Sequence, residues 1–121
     1  MKTCLIVDDS HIVRKVARRI IEDLGFKCRD AEDGEIALGI CREAMPDVIM
    51  LDWNMPNMTG IDFLKTLRAD PDGKNPIVIF CTIENDMSFI QEALEEGADE
   101  YIMKPFDSDI IKTKFEQVGL I

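Results

Sequence analysis

No run in the sequence approaches the roughly 20 consecutive apolar residues that cross a bilayer, and Met1-Lys2 leads straight into a strand-like segment without a secretory leader. A cytoplasmic chain that touches no membrane is the expectation. Positive charge is also scarce: 14 Lys+Arg face 24 Asp+Glu, a formal net charge of -10. That field opposes a nucleic acid backbone or an anionic lipid surface, so neither is expected as a partner. Five prolines and seven glycines are too few for a fibrous or low-complexity chain, and 46% hydrophobic against 31% charged residues describes a globular one. The cysteines Cys4, Cys28, Cys41 and Cys81 form no Cys-x-x-Cys pair, which argues against zinc or dithiol chemistry and for reduced, packed thiols. The single histidine, His11, falls just inside a helical segment, where surface or capping duty is the default over catalysis.

What is present is a regular alternation. A length of 121 residues suits one compact domain, taken as 1–121. Thr3 to Asp8 is a short apolar run ending in carboxylates and reads as a buried strand. Ser10 follows as a helix N-cap, with Val13, Val16, Ala17, Ile20 and Leu24 at helical spacing and Gly25 as the stop. The pattern then repeats: Phe26 to Ala31 strand, Gly34 to Ala44 helix, Asp47 to Leu51 strand, Gly60 to Ala69 helix. Ile77 to Cys81 is the fourth strand, Asp86 to Glu96 a helix closed by Gly97, Glu100 to Met103 the fifth strand and Asp107 to Val118 the last helix. Five strand–helix units predict an α/β fold: a doubly wound parallel sheet, helices on both faces, joined by right-handed crossovers. The flavodoxin-like order 2-1-3-4-5 is the natural choice, although alternation alone does not fix it.

In such a sheet, ligands bind at the carboxyl ends of the strands beside the switch point. Asp8 and Asp9 end the first strand, Asp52 the third, Thr82 the fourth and Lys104 the fifth, so all reach one rim. Three carboxylates at close range repel one another unless a cation lies among them, and hard oxygen donors suit Mg2+. Lys104 adds a compact positive charge and Thr82 a hydroxyl, which together describe a cradle for a phosphoryl group. Asp52, alone at its strand end, is the better nucleophile, able to carry an aspartyl phosphate; Asp8 and Asp9 suit metal holding. Asn54 and Glu84 each stand two residues past a rim position, within reach of the ion or an attacking water.

At these positions the sequence resembles the receiver domains of two-component response regulators, and most closely the chemotaxis type. The carriers are Val7-Asp8-Asp9-Ser10, the run Leu51 to Gly60, Thr82, Tyr101 and Lys104-Pro105, which are weak singly and specific as an ordered set. The resemblance covers essentially the whole chain. It implies that Asp52 accepts phosphate from a histidine kinase or phosphotransfer protein. It also implies Mg2+ on Asp9, Asp52 and the backbone carbonyl of Asn54, with Asp8 acting mainly through water. Lys104 is implied to pair with the phosphoryl, and the Lys104-Pro105 peptide to be cis. Thr82 and Tyr101 are implied to be the switch that alters a protein-binding face built from the fourth helix, fifth strand and fifth helix. The residue after Thr82 is often small in the family; here Ile83 is expected to narrow access, and with Asn54 and Glu84 to set reactivity.

Only Gly119-Leu120-Ile121 follow the last helix, so the expectation is a monomeric switch without an output domain that acts by binding another protein, with dimerisation on activation an open alternative. Such a protein is no enzyme beyond its own phosphorylation and dephosphorylation. A non-chemotactic regulator or phosphate sink would share every rim residue. A magnesium-dependent phosphohydrolase of the haloacid dehalogenase type needs a second aspartate two residues past the nucleophile, where this chain has Asn54. The first helix carries Arg14, Lys15, Arg18 and Arg19, a solvated face by default and a docking surface for the kinase's phosphohistidine domain as the sharper alternative.

Overall fold

The computed structural model describes residues 2–83 and 87–121. Among them, five strands alternate with five helices: β1 Thr3–Val7, α1 His11–Asp23, β2 Lys27–Ala31, α2 Gly34–Glu43, β3 Val48–Asp52, α3 Gly60–Ala69, β4 Ile77–Thr82, α4 Met87–Glu95, β5 Glu100–Met103 and α5 Ser108–Gln117. The sheet is parallel throughout, in the order β2-β1-β3-β4-β5. This is the flavodoxin-like order anticipated from the alternation, and it makes β1 and β3 neighbours where the winding reverses.

The central strands are apolar along their whole length because both of their faces are covered. Alternate side chains feed two cores. Leu5, Val7, Ile49, Leu51, Val78 and Phe80 pack with Ala37, Leu38, Phe63, Leu64 and Leu67 of α2 and α3. Cys4, Ile6, Val48, Met50, Ile79 and Cys81 pack with Ala17 and Ile21 of α1 and Ile111 and Phe115 of α5. The edge strands are short, and β2 carries Lys27, Arg29 and Asp30, side chains that discourage edge-to-edge pairing. All four cysteines are buried free thiols, as their apolar settings implied.

Ser10 caps α1 as anticipated, and three further helices start the same way, Asp107 standing just outside α5 and not within it. Ser10 Oγ accepts from the Val13 amide at 3.3 Å, Asp33 from Ile36 at 2.9 Å, Thr59 from Asp62 at 3.2 Å and Asp107 from Ile110 at 2.9 Å. The stops at Gly25 and Gly97 have φ of 95° and 113°, where a side chain would be strained. β3 begins one residue later than expected, because Asp47 turns its carboxylate to the Thr3 amide at 2.7 Å, and it runs on to include Asp52. The expected start of the fourth helix at Asp86 lies outside the described residues. No described helix is long and apolar enough to cross a membrane.

The end of the sheet remote from the carboxylates is fastened by Arg68 of α3. Its guanidinium donates to the carbonyls of Gly97 (2.8 and 3.1 Å), Gly73 (2.8 Å) and Pro76 (2.8 Å), and pairs with Asp99 at 3.2 Å. Asp99 in turn accepts from the Val78 amide at 2.8 Å, so one cation ties two connections to the start of β4. Arg68→Ala strands these carbonyls without a donor and should lower unfolding stability by about 2–3 kcal/mol, which urea denaturation will measure.

Candidate functional site

The register brings the sequence-selected side chains to one rim. Asp8 directly follows β1, Asp52 closes β3 opposite Cys81, Thr82 closes β4 opposite Met103, and Lys104 follows β5. Carboxylate oxygens of Asp8, Asp9 and Asp52 all lie within 4.8 Å of one another. Lys104 Nζ reaches between them, 2.6 Å from Asp8 Oδ2 and 2.9 Å from Asp52 Oδ1. Asp8 and Asp52 are buried, whereas Asp9 is exposed at the mouth. A cleft of about 200 Å³ opens here, lined by Asp9, Asp52, Trp53, Asn54, Ile83 and Lys104.

Local backbone chemistry holds this arrangement. The Trp53 amide donates to the Cys81 carbonyl at 3.0 Å, and the Gly60 amide returns to the Trp53 carbonyl at 3.0 Å. A Cβ on Gly60 would stand 2.4 Å from the Asp52 carbonyl oxygen, so only glycine lets the head of α3 approach the strand end so closely. Asn57 supplies the left-handed turn in the intervening loop, with φ of 69°, a conformation asparagine tolerates better than most residues. The Lys104-Pro105 peptide is cis, as the resemblance implied.

Electrostatics sharpen the contrast between the partners. Burial pushes the Asp52 carboxyl above its ordinary value; the hydrogen bond and charge of Lys104 draw it down, while Asp8 and Asp9 push it up again. Burial works against the charge on Lys104, yet hydrogen bonds to Asp52 and Asp8 outweigh it and raise its pKa, so the ammonium persists. Just beneath, burial pushes the Cys81 thiol up to about 12, which leaves it unreactive. With the carboxyls ionised, three negative charges face one ammonium, and two remain uncompensated. Hard oxygen donors this close, in excess of their cation, fit a divalent ion such as magnesium.

Other anticipated residues have distinct placements. Asn54 lines the cleft and is exposed; Ile83 stands at its edge, 72% exposed, so the side chain borders access to Asp52. Thr82 is buried, and its carbonyl accepts from the Lys104 amide at 2.9 Å. Tyr101, paired with Phe80, is half-buried on β5, and Lys114 Nζ sits 4.7 Å from its ring centroid. Strand alternation puts Thr82 and Tyr101 on the same sheet face. Glu84 lies outside the described residues. Trp53 meets Phe89 of α4 edge-on at 4.8 Å, a link from the end of β3 to that helix.

The basic stretch of α1 is only partly a solvated face. Arg14 Nε pairs with Asp30 at 3.0 Å and its Nη1 donates to the Asp8 carbonyl at 2.6 Å. Arg18 pairs with Asp30 at 3.2 Å and donates to the Cys28 carbonyl at 2.5 Å, so it has internal partners as well. Lys15 and Arg19 are exposed. Neither Asp30 nor the Arg14 contact was legible beforehand, since both depend on how α1 crosses the β2 edge.

A doubly wound sheet with an acidic cluster and a lysine at its switch point is the architecture of a phosphoacceptor module. The family model described as the response regulator receiver domain matches residues 4–116. A chemotaxis protein CheY from Pseudomonas aeruginosa is 39% identical over 115 residues, covering 94% of this chain and 93% of the relative. CheY-3 from Vibrio cholerae is likewise 39% identical, over 94% of this chain and 88% of its own length. Among solved structures, Vibrio cholerae CheY4 superposes with a TM-score of 0.92 at 33% identity, covering 98% of both chains. A putative response regulator from Chloroflexus aurantiacus gives 0.91 at 28% identity, over 97% of this chain and 96% of its own. The chain belongs to the response regulator receiver family. Its members are signalling proteins that take a phosphoryl group on an aspartate and work with histidine kinases and downstream targets, not classical enzymes.

The raised Asp52 carboxyl carries a consequence for stability. Ionising it costs more in the folded chain than in the unfolded one, so its contribution is fully present at low pH and is lost as pH rises through the raised value. Asp52→Asn is therefore expected to raise the melting temperature in metal-free buffer at neutral pH, with the gap to the parent closing on acidification, as followed by circular dichroism.

Proposed function

We propose that this chain is a phosphorylation switch, one receiver domain over 1–121, in which Asp52 takes a phosphoryl group from a histidine kinase or phosphotransfer protein. The carrying observation is the meeting of Asp8, Asp9 and Asp52 within 4.8 Å around the Lys104 ammonium. Asp9, Asp52 and the backbone carbonyl of Asn54 would hold Mg2+, with Asp8 reaching it through water. The ion, when bound, offsets negative charge on the phosphoryl oxygens.

Chemically, Asp52 Oδ1 is engaged by Lys104, which leaves Oδ2 to attack phosphorus. A new O–P bond forms as the P–N bond to the donor histidine breaks, and the imidazole departs. Lys104 can then follow the charge from the carboxylate to the phosphoryl, and the Thr82 hydroxyl can donate to a phosphoryl oxygen. Movement of Thr82 makes room for Tyr101 to turn inward, which biases the α4-β5-α5 face between two arrangements. The exposed Met87, Leu94 and Ile110 give that face apolar contacts for a protein target.

The donor side has its own surface. An apolar groove lined by Ile12, Val13, Val16, Ile83, Pro105 and Phe106 lies against Lys104, beside the acidic cleft. Exposed aliphatic side chains there suit a donor helix bearing the phosphohistidine. The relatives named as chemotaxis proteins favour a chemotactic output.

Incubation with a histidine kinase, labelled ATP and Mg2+ should place label on the parent and none on Asp52→Asn; label persisting on that variant refutes the assignment. Ile83→Ala is expected to react several-fold faster with a small phosphodonor such as acetyl phosphate, read from the rate of the Trp53 fluorescence change. A rate equal to the parent's would show that Ile83 does not restrict the cleft.

A further inference from the structure

The acidic pair at the end of β1 is held from behind by a residue outside the rim. We infer that Arg14 is the positioning residue for the magnesium site, fixing the Asp8–Asp9 peptide so that Asp9 presents its carboxylate toward Asp52. The inference rests on reading Asp8, Asp9 and Asp52 as that site, and assigns its geometry to a side chain that does not touch the cleft.

The carbonyl gripped by Arg14 Nη1 at 2.6 Å belongs to the peptide unit that joins Asp8 to Asp9. Because that unit is planar, fixing its oxygen fixes the direction in which the Asp9 Cα leaves. Asp8 makes other contacts as well. Its Oδ1 accepts from the Ser10 amide at 2.9 Å, its Oδ2 from Lys104 at 2.6 Å, and its own amide donates to the Ala31 carbonyl at 3.1 Å. The last two hold the Asp8 side chain and the strand, and the first closes a turn across Asp9; the oxygen of the intervening peptide is gripped by Arg14. Asp9, exposed at the mouth, depends on that peptide for its orientation.

Arg14 is itself held. Its side chain is only 12% exposed, and its Nε pairs at 3.0 Å with Asp30, which also receives Arg18 at 3.2 Å. The planar guanidinium meets Asp30 and the Asp8 carbonyl through different nitrogens, a span that a lysine's single ammonium does not reproduce. Outer groups that orient metal-holding carboxylates commonly contribute tenfold or more to metal affinity.

Charge and positioning predict opposite signs, which makes the inference testable. Removing a nearby cation from an acidic site should tighten magnesium binding on electrostatic grounds alone; removing a positioning residue should weaken it. Magnesium chloride titrations of the full chain, read by Trp53 fluorescence and well below the melting temperature, supply the dissociation constants. Arg14→Met is expected to raise the constant by about tenfold. Arg14→Lys, which keeps the charge and loses the fork, should also bind more weakly than the parent. Lys15→Met, which removes an exposed charge from the same helix, should bind as the parent does or slightly tighter. Parent-like or tighter binding by Arg14→Met overturns the inference, and if that variant does not fold, parent-like binding by Arg14→Lys does so. A parent that shows no magnesium response in fluorescence or thermal stability removes the metal site itself, an outcome distinct from failure of Arg14 alone.

Discussion

Repulsion among carboxylates is the constraint around which this molecule is built. Left to themselves, Asp8, Asp9 and Asp52 would move apart or take up protons, since like charges a few ångströms apart are costly, more so where water is thin. They stay together because each of the two buried members is pinned by something more rigid than itself. Asp8 is locked by an amide and an ammonium, and Asp52 by a strand whose next amide is bonded to β4. Lys104 offsets part of the charge and leaves a deficit. That deficit is what suits the cluster to a divalent cation.

The fold supplies the rigidity that such a cluster requires. Its members come from residues 8, 9, 52 and 104, so no local segment could hold them; only the register of β1, β3, β4 and β5 does. Central strands buried on both faces do not slide, because a shift by one residue would turn their apolar side chains toward the wrong core. Gly60 shows how tight the fit is, since even a methyl group there would press on the carbonyl of Asp52.

Much of this could be read from the sequence, because the signals were either periodic or paired in type. Alternation of short apolar runs with capped amphipathic segments gave the layers, and the strand-end rule then selected Asp8, Asp9, Asp52, Thr82 and Lys104 without any coordinates. Boundaries slipped by one residue where a side chain competed with the backbone: Asp47 serves Thr3 before the strand begins, and Asp107 caps α5 from outside it. The contacts of Arg14, Arg18 and Arg68 were not legible. A surface arginine looks the same in sequence whether it faces water or grips carbonyls 29 residues away, as Arg68 does at Gly97. Such bonds are decided by the angle at which a helix crosses the sheet, which no periodicity encodes.

The Arg68 clamp bears on how the molecule can move. Gly97, whose carbonyl it holds twice, lies just past the last turn of α4, while Phe89 in the first turns of that helix rests on Trp53 beside Asp52. One end of the helix is therefore moored to the scaffold and the other is coupled to the chemistry. A push at the rim would be carried by α4 as by a lever whose fulcrum is the Gly97 end.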